Sequence, residues 1–177
     1  MTTVDYTHIF EDSLNEIYVF SAETLHFIEV NRGARENLGY TMQELKSLTP
    51  LDLKHDHTQE TFNSLIAPLH DGSKGKIIFE TRHYRKDGTH YPVEVHLHLS
   101  NVEDKQVFVA IILDITERIK AKEHAIQLAV EQEHVRLLRE FVSDTSHDLR
   151  TPLTQVGTSL YLLGRHTDNP KHHDYIA

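Results

Sequence analysis

The pair best suited to nucleophilic chemistry in this sequence is His147-Asp148, within Phe141-Val142-Ser143-Asp144-Thr145-Ser146-His147-Asp148-Leu149-Arg150-Thr151-Pro152-Leu153-Thr154. A neutral imidazole attacks an electrophile through one ring nitrogen when a carboxylate accepts a hydrogen bond from the other and supports the imidazolium that forms. His147 is then the nucleophile, Asp148 the orienting base, and Arg150 a local source of positive charge. Pro152 removes a backbone donor one turn after His147, so it is expected to kink a helix there and leave nearby carbonyls unpaired. A second cluster, Glu94, His96 and His98, has residue types that zinc accepts and lies on one face of a strand-like run. Only strand periodicity supports it, so a solvated or dimer-facing surface is expected and no metal site is assigned. With no cysteine, the chain cannot build a disulfide framework, a thiolate metal site or a Cys nucleophile.

These residues need elements to hold them, and glycine and proline divide the chain. No Gly lies between Gly88 and Gly157 and no Pro between Pro92 and Pro152, so the second half is long and regular. Asp114-Ile115-Thr116-Glu117 can cap a helix start, with Glu117 as the reciprocal partner. A helix over 115–165 would extend roughly 75 Å, too long to be covered by its own small domain. Leu128, Val135, Val142 and Leu149 repeat every seven residues, with Val130, Leu137 and Phe141 on a neighbouring stripe. Ile119 and Ile126 are out of phase with that set, which places a stutter near 126–130. The expectation is a coiled coil within a homodimer.

The first part alternates strands and short helices. Ile17–Phe20 and Phe27–Val30 read as a hairpin, Asn31–Leu53 as short helices with a capping box at Thr41 and Glu44, and Thr58–Leu69 as an amphipathic helix ended by Asp71-Gly72. Lys76–Arg85 and His90–Ser100 flank a turn at Asp87-Gly88, and Val107–Leu113 is an apolar run suited to a central strand. Val93, Val95, Leu97 and Leu99 alternate with Glu94, His96 and His98, the pattern of a sheet buried on one side.

The segment around His147 resembles the H-box of sensor histidine kinases along its whole length. That resemblance implies attack on the γ-phosphate of ATP, with Mg²⁺ neutralising the phosphates. It further implies onward transfer to an aspartate of a response regulator, and a phosphatase role for Thr151, four residues after the histidine. Residues 6–119 resemble a PAS domain through Val30-Asn31, Leu38-Gly39-Tyr40-Thr41, Glu44-Leu45, Arg85-Lys86-Asp87-Gly88, Tyr91-Pro92-Val93 and Leu113-Asp114-Ile115-Thr116. The implied fold is α+β: a five-stranded antiparallel sheet with flanking helices, followed by a long coiled-coil signalling helix entering a helical-hairpin dimerisation domain. The expected divisions are a PAS sensor over 1–119, a signalling linker over 116–140 and an incomplete HisKA-like segment over 134–177.

In a PAS fold the sensory pocket lies between the sheet and the amphipathic helix. Candidate lining residues are Phe20, Ile28, Leu38, Leu45, Phe62, Leu65, Ile66, Ile78, Val95, Leu97, Val109 and Ile111, and Asp114 and Thr116 form the signal junction. Flavin–cysteine photochemistry is excluded by the absent thiol. Haem is disfavoured, because His55, His57 and His70 flank the helix rather than face its pocket, and the ligand stays unassigned.

The chain carries 18 basic and 27 acidic residues, a net charge of −9. That balance argues against nucleic acid as the partner, since phosphate binding requires a basic surface. With no membrane-length apolar run and no secretory leader, a cytoplasmic location is expected. No ATP-binding motif follows the H-box, so this chain alone is expected to be inactive, as part of a longer kinase. The alternative is a PAS ligand-binding or dimerisation module, such as a haem or small-molecule sensor, without an active kinase.

Overall fold

The computed structural model describes residues 6–102 and 104–167. The chain divides into two compact units between Ala121 and Lys122. In the first unit α1 (Tyr6–Glu11) precedes β1 (Glu16–Ser21) and β2 (Phe27–Val30). Then follow α2 (Arg32–Leu38), α3 (Met42–Leu45), a 3-10 turn (Pro50–Leu53) and α4 (Gln59–His70). Strands β3 (Ile77–Tyr84), β4 (His90–Val102) and β5 (Lys105–Asp114) lead into α5 (Thr116–Thr167). The five strands form one antiparallel sheet of order β2-β1-β5-β4-β3, so the last strand is inserted beside the first at the centre.

Side-chain chemistry sets the local boundaries. Asn31 caps α2 by accepting from the Ala34 amide, and the same Oδ1 accepts from Ile17 N at 2.9 Å. Its Nδ2 donates to Asn15 O at 2.9 Å, so one buried amide ties β1 to the start of α2. Gly39 ends α2 at φ +76, the left-handed conformation that favours glycine. Thr41 and Glu44 complete the expected capping box of α3. Thr58 caps α4, accepting from Thr61 N, and Asp71 closes it.

One apolar cluster fills the space between the sheet and the helices. Leu38, Leu45, Leu53, Phe62, Ile66 and Leu69 meet Phe20, Val93, Val95, Leu97, Phe108, Ala110 and Ile112, all buried. Expectation and structure differ at the parity of β5. Leu97 pairs with Ala110 and Val95 with Ile112, and directly opposed residues share a face, so Phe108, Ala110 and Ile112 point inward. Val109 and Ile111 pair with His98 and His96 on the outer face and do not line the interior. Ile28 (40% exposed) and Ile78 (50% exposed) also lie outside, because Phe27 and Ile77 beside them take the inward positions. Leu65 is partly buried at the margin of the core. Helix α1 was not among the expected elements, since residues 6–11 carry no marked apolar period.

In α5 every described side chain from Lys120 to Leu162 is exposed, including Ile126, Leu128, Val130, Val135, Leu137, Leu138 and Phe141. The helix continues through Pro152 without ending. Among the described residues no helix is long and apolar enough to cross a membrane.

Candidate functional site

The second unit carries the candidate nucleophile, His147, on a helix surface. His147, Arg150 and Thr151 stand at i, i+3 and i+4, on one face of α5. The His147 and Asp148 side chains are 80% and 86% exposed, and Nδ1 lies 3.9 Å from an Asp148 carboxylate oxygen. That is ion-pair range but longer than a hydrogen bond, so a rotamer change in Asp148 is needed to make the orienting contact. With Nδ1 on the carboxylate side, Nε2 is the ring nitrogen left for attack in the candidate chemistry. Pro152 supplies no amide for the Asp148 carbonyl, while Thr154 Oγ1 donates to the Arg150 carbonyl at 2.8 Å.

At the sheet-to-helix junction, Thr116 N donates to Asp114 Oδ1 at 2.8 Å and buried Ile115 N donates to Pro92 O at 3.1 Å. Glu117 does not return the bond, because it pairs with Lys120 at 3.0 Å. One turn into α5, Arg118 makes two contacts with Glu94 Oε2 (2.9 and 3.0 Å) and one with Glu80 (2.7 Å). His96 Nε2 lies 2.8 Å from the other Glu94 oxygen. Hydrogen bonds from His96 and Arg118 hold the Glu94 carboxyl below its ordinary range. The cluster that resembled a metal-ligand set therefore faces a guanidinium and ties β3 and β4 to the first turn of α5.

The interior of the first unit holds a polar group that composition and periodicity did not single out. Glu16 is only 9% exposed and accepts from Tyr18 Oη, from Tyr91 Oη at 2.9 Å and from Asn37 Nδ2 at 2.6 Å. Burial raises its pKa against the lowering pull of those donors, and burial likewise raises both tyrosines. Arg85 donates to Asn37 Oδ1 at 3.0 Å and stacks 4.2 Å from the Tyr91 ring centroid. His83 is fully buried, with Nδ1 3.3 Å from Tyr18 Oη. Burial pushes its pKa well down, and Lys54 adds to the effect. Lys54, 5% exposed, lies over the Phe62 and Phe79 rings, and burial lowers its pKa from 10.5 to about 7.

One available signal was strand parity. Glu16 shares it with Tyr18 and Phe20, and His83 with Ile77 and Phe79, so both face inward once a face is chosen. No such signal exists for Lys54, which follows a four-residue 3-10 turn. Of the expected lining residues, Phe20, Leu38, Leu45, Phe62, Ile66, Val95 and Leu97 are brought together in the core. His55 stacks on Tyr84 at 4.0 Å, His57 meets Phe62 and Phe79 edge-on, and His70 meets Phe108 edge-on from an exposed position.

Similarity to known proteins follows this geometry. Sporulation kinase C of Bacillus subtilis is 27% identical over 173 residues, covering 93% of this chain and 39% of that protein. Two-component system protein A of Emericella nidulans is 26% identical over 163 residues, covering 88% of this chain and 23% of that protein. The chain thus spans well under half the length of these relatives. A solved PAS domain of an HTR-like protein from Haloarcula marismortui superposes with a TM-score of 0.55 at 29% identity, covering 62% of this chain and 93% of that domain. Residues 15–117 match the PAS domain family, and they hold the whole five-stranded sheet with its packed helices. On that sheet order, that core and that match, the chain belongs to the PAS domain family.

Proposed function

We propose that this chain is the sensory and phosphoacceptor portion of a PAS-regulated sensor histidine kinase acting in a two-component system. The observation that carries the reading is the reach of the similarity. Both relatives, one called a kinase and the other a two-component protein, align over 93% and 88% of the chain, well beyond the PAS match and across α5. The exposed His147 beside Asp148 supports the same reading.

His147 Nε2 attacks the γ-phosphorus of ATP presented by an ATP-binding domain. The N–P bond forms as the bond to the ADP oxygen breaks, Nδ1 keeps its proton, and Asp148 stabilises the imidazolium. Mg²⁺ accompanying ATP would neutralise phosphate charge, and Arg150 adds a cation on the same helix face. The phosphoryl group then passes to an aspartate of a receiver domain, and Thr151, one turn beyond His147, positions a water whose attack on phosphorus breaks the phospho-aspartate bond and releases inorganic phosphate. Residues 1–119 act as sensor, 116–140 as a coiled-coil signalling linker and 134–177 as the dimerisation and phosphotransfer segment of a homodimer. The exposed apolar stripes of α5 fit that role, and the cytoplasm, which holds ATP and receiver domains, is its site of action.

Incubating the chain with ATP, Mg²⁺ and a separately prepared ATP-binding domain of a related kinase tests the reading. Acid-labile phosphate on the chain is expected, and His147→Gln abolishes it. Equal incorporation in His147→Gln, or none in either protein alongside an active control substrate, overturns it in favour of a PAS module without kinase function.

A further inference from the structure

Two carboxylates stand face to face on the outer side of the sheet. Glu80 of β3 pairs directly with Glu94 of β4, and side chains so opposed share a face about 5 Å apart. Like charges in that relation weaken strand pairing. Hydrogen bonds from His96 and Arg118 hold the Glu94 carboxyl below its ordinary range, so proton uptake at neutral pH does not relieve the repulsion. Relief comes from the helix instead. Arg118 Nη2 donates to Glu80 at 2.7 Å and to Glu94 Oε2 at 3.0 Å, and Nη1 donates to the same Glu94 oxygen at 2.9 Å. Neighbouring cations are engaged elsewhere: Arg82, two residues along the same strand face, pairs with Asp56, and Lys120 pairs with Glu117.

An isolated ion pair on a protein surface contributes little. This one differs in that one guanidinium serves two strands, the Glu94 side chain is only 19% exposed, and loss of Arg118 leaves a like-charge pair uncompensated. Strand pairing at 80 and 94 and docking of the first turn of α5 are therefore linked, and linkage is reciprocal: whatever favours one favours the other. Glu94 also has a second partner. His96 Nε2 lies 2.8 Å from the Glu94 oxygen that Arg118 does not use, so departure of Arg118 restores the repulsion without leaving a bare carboxylate.

We propose that Arg118 is an electrostatic clasp that couples the pairing of β3 with β4 to the docking of the first turn of α5. In the closed arrangement Arg118 bridges Glu80 and Glu94, and the helix start lies against the sheet. In the open arrangement Glu94 rests on His96 alone, the two strands repel at this pair, and α5 is free to change direction beyond Ile115, which stays anchored by its amide bond to Pro92 O. A change in the β3–β4 hairpin thereby reaches the helix as a change of charge balance. As a signalling device the clasp rests on the proposed kinase reading. It is tested by amide exchange, without phosphotransfer, so failure of one is separable from failure of the other.

The test uses the 177-residue chain and residue-resolved hydrogen exchange. Two sets of amides are followed: those of residues 79–81 and 93–95 around the carboxylate pair, and that of Ile119, which donates to Ile115 O at 2.9 Å in the first turn of α5. Amides of β1 serve as the internal reference. Arg118→Gln is expected to speed exchange in both sets about tenfold relative to β1. Glu80→Gln in the parent should change exchange by less than about twofold, because it removes one exposed contact and one repulsion together. In the Arg118→Gln chain the same substitution should slow exchange about threefold, a reversal of sign that loss of a merely structural contact does not produce. Arg118→Lys, which keeps the charge, should stay near the parent. The proposal is overturned if Glu80→Gln acts alike with and without Arg118, if only one of the two amide sets responds to Arg118→Gln, or if Arg118→Lys matches Arg118→Gln.

Discussion

The PAS unit and the helical segment beyond Lys122 solve different folding problems. Along β4 and β5 burial alternates with sheet parity and one face meets the helices, whereas from Lys120 to Leu162 no described side chain is buried. The PAS unit closes a core around Phe20, Phe62 and Phe108 and can afford a buried carboxylate, an imidazole and an amine inside it. The helix is held by backbone hydrogen bonds and exposed pairs such as Arg136 with Glu133 and Glu140, and leaves its leucines and valines for another surface. Isolated helices draw little stability from propensity alone, so the exposed apolar stripes of the second region are where packing against another surface would add most. Under the proposed function, sensing can use buried groups, whereas His147 as phosphoacceptor would have to be reached by two other proteins, which suits its exposure.

The sharpest way to separate the regions is pH. Lys54 titrates near pH 7 in the fold and near 10.5 when unfolded, so the unfolded chain holds the extra proton between those values. Stability contributed by this site therefore rises as pH climbs from about 7 to about 10.5, and the burial cost is fully present below about 7. The swing is on the order of 5 kcal/mol. Lys54→Met should remove it, measured as the difference between parent and variant in urea unfolding at pH 7 and pH 10; equal pH dependence in both would place Lys54 in solvent.

Core truncation comes next. Phe62→Ala is expected to cost the PAS unit about 3–5 kcal/mol by chemical denaturation. Leu137→Ala should leave that transition unmoved, and instead weaken the concentration dependence of helix content seen by circular dichroism. A comparable effect of Leu137→Ala on PAS unfolding would erase the contrast drawn above.

Asp148→Asn probes the exposed region. Loss of the orienting carboxylate should slow His147 phosphorylation by about 10²-fold or more. The PAS unfolding midpoint should stay where it was. Unchanged phosphorylation would remove Asp148 from the mechanism while leaving His147 in place.

The smallest effect is expected at a helix cap. Thr58 accepts from Thr61 N at the start of α4, and Thr58→Ala should cost the PAS unit about 1 kcal/mol in urea unfolding. No change would mean that the contacts of His55, Asp56 and His57 with β3, rather than the cap, hold the beginning of α4.

Much of the fold was legible because its signals are local. The Thr41–Glu44 box, the Asp71-Gly72 stop, the hairpin at Asp87-Gly88 and the alternation from Val93 to Leu99 each lie within a few residues and specify their own backbone. The parity of β5 was not legible: Val107–Leu113 is apolar on both faces, so only pairing with β4 shows that Ala110 and Ile112, not Val109 and Ile111, turn inward. Ile28 and Ile78 were misplaced for a related reason, each standing beside another apolar residue that competes for the core. Among the candidate residues, His147, Asp148, Arg150 and Thr151 fall within five positions of one helix, so their grouping needs no tertiary information.

The sequence by itself determined the order of the strands and of the helices after α1, the change from sheet to helix at Asp114–Thr116, the absence of thiol chemistry and the phosphoacceptor-like run around His147. Tertiary structure alone decided which face of each apolar strand is buried and which polar residues enter the core. Glu16 is a surface residue by type, and it becomes interior only because Tyr91, 75 positions away, and Asn37 arrive to donate to it. Helix caps and turns are specified by neighbours along the chain, whereas burial of a charge requires partners that only folding brings within hydrogen-bonding distance.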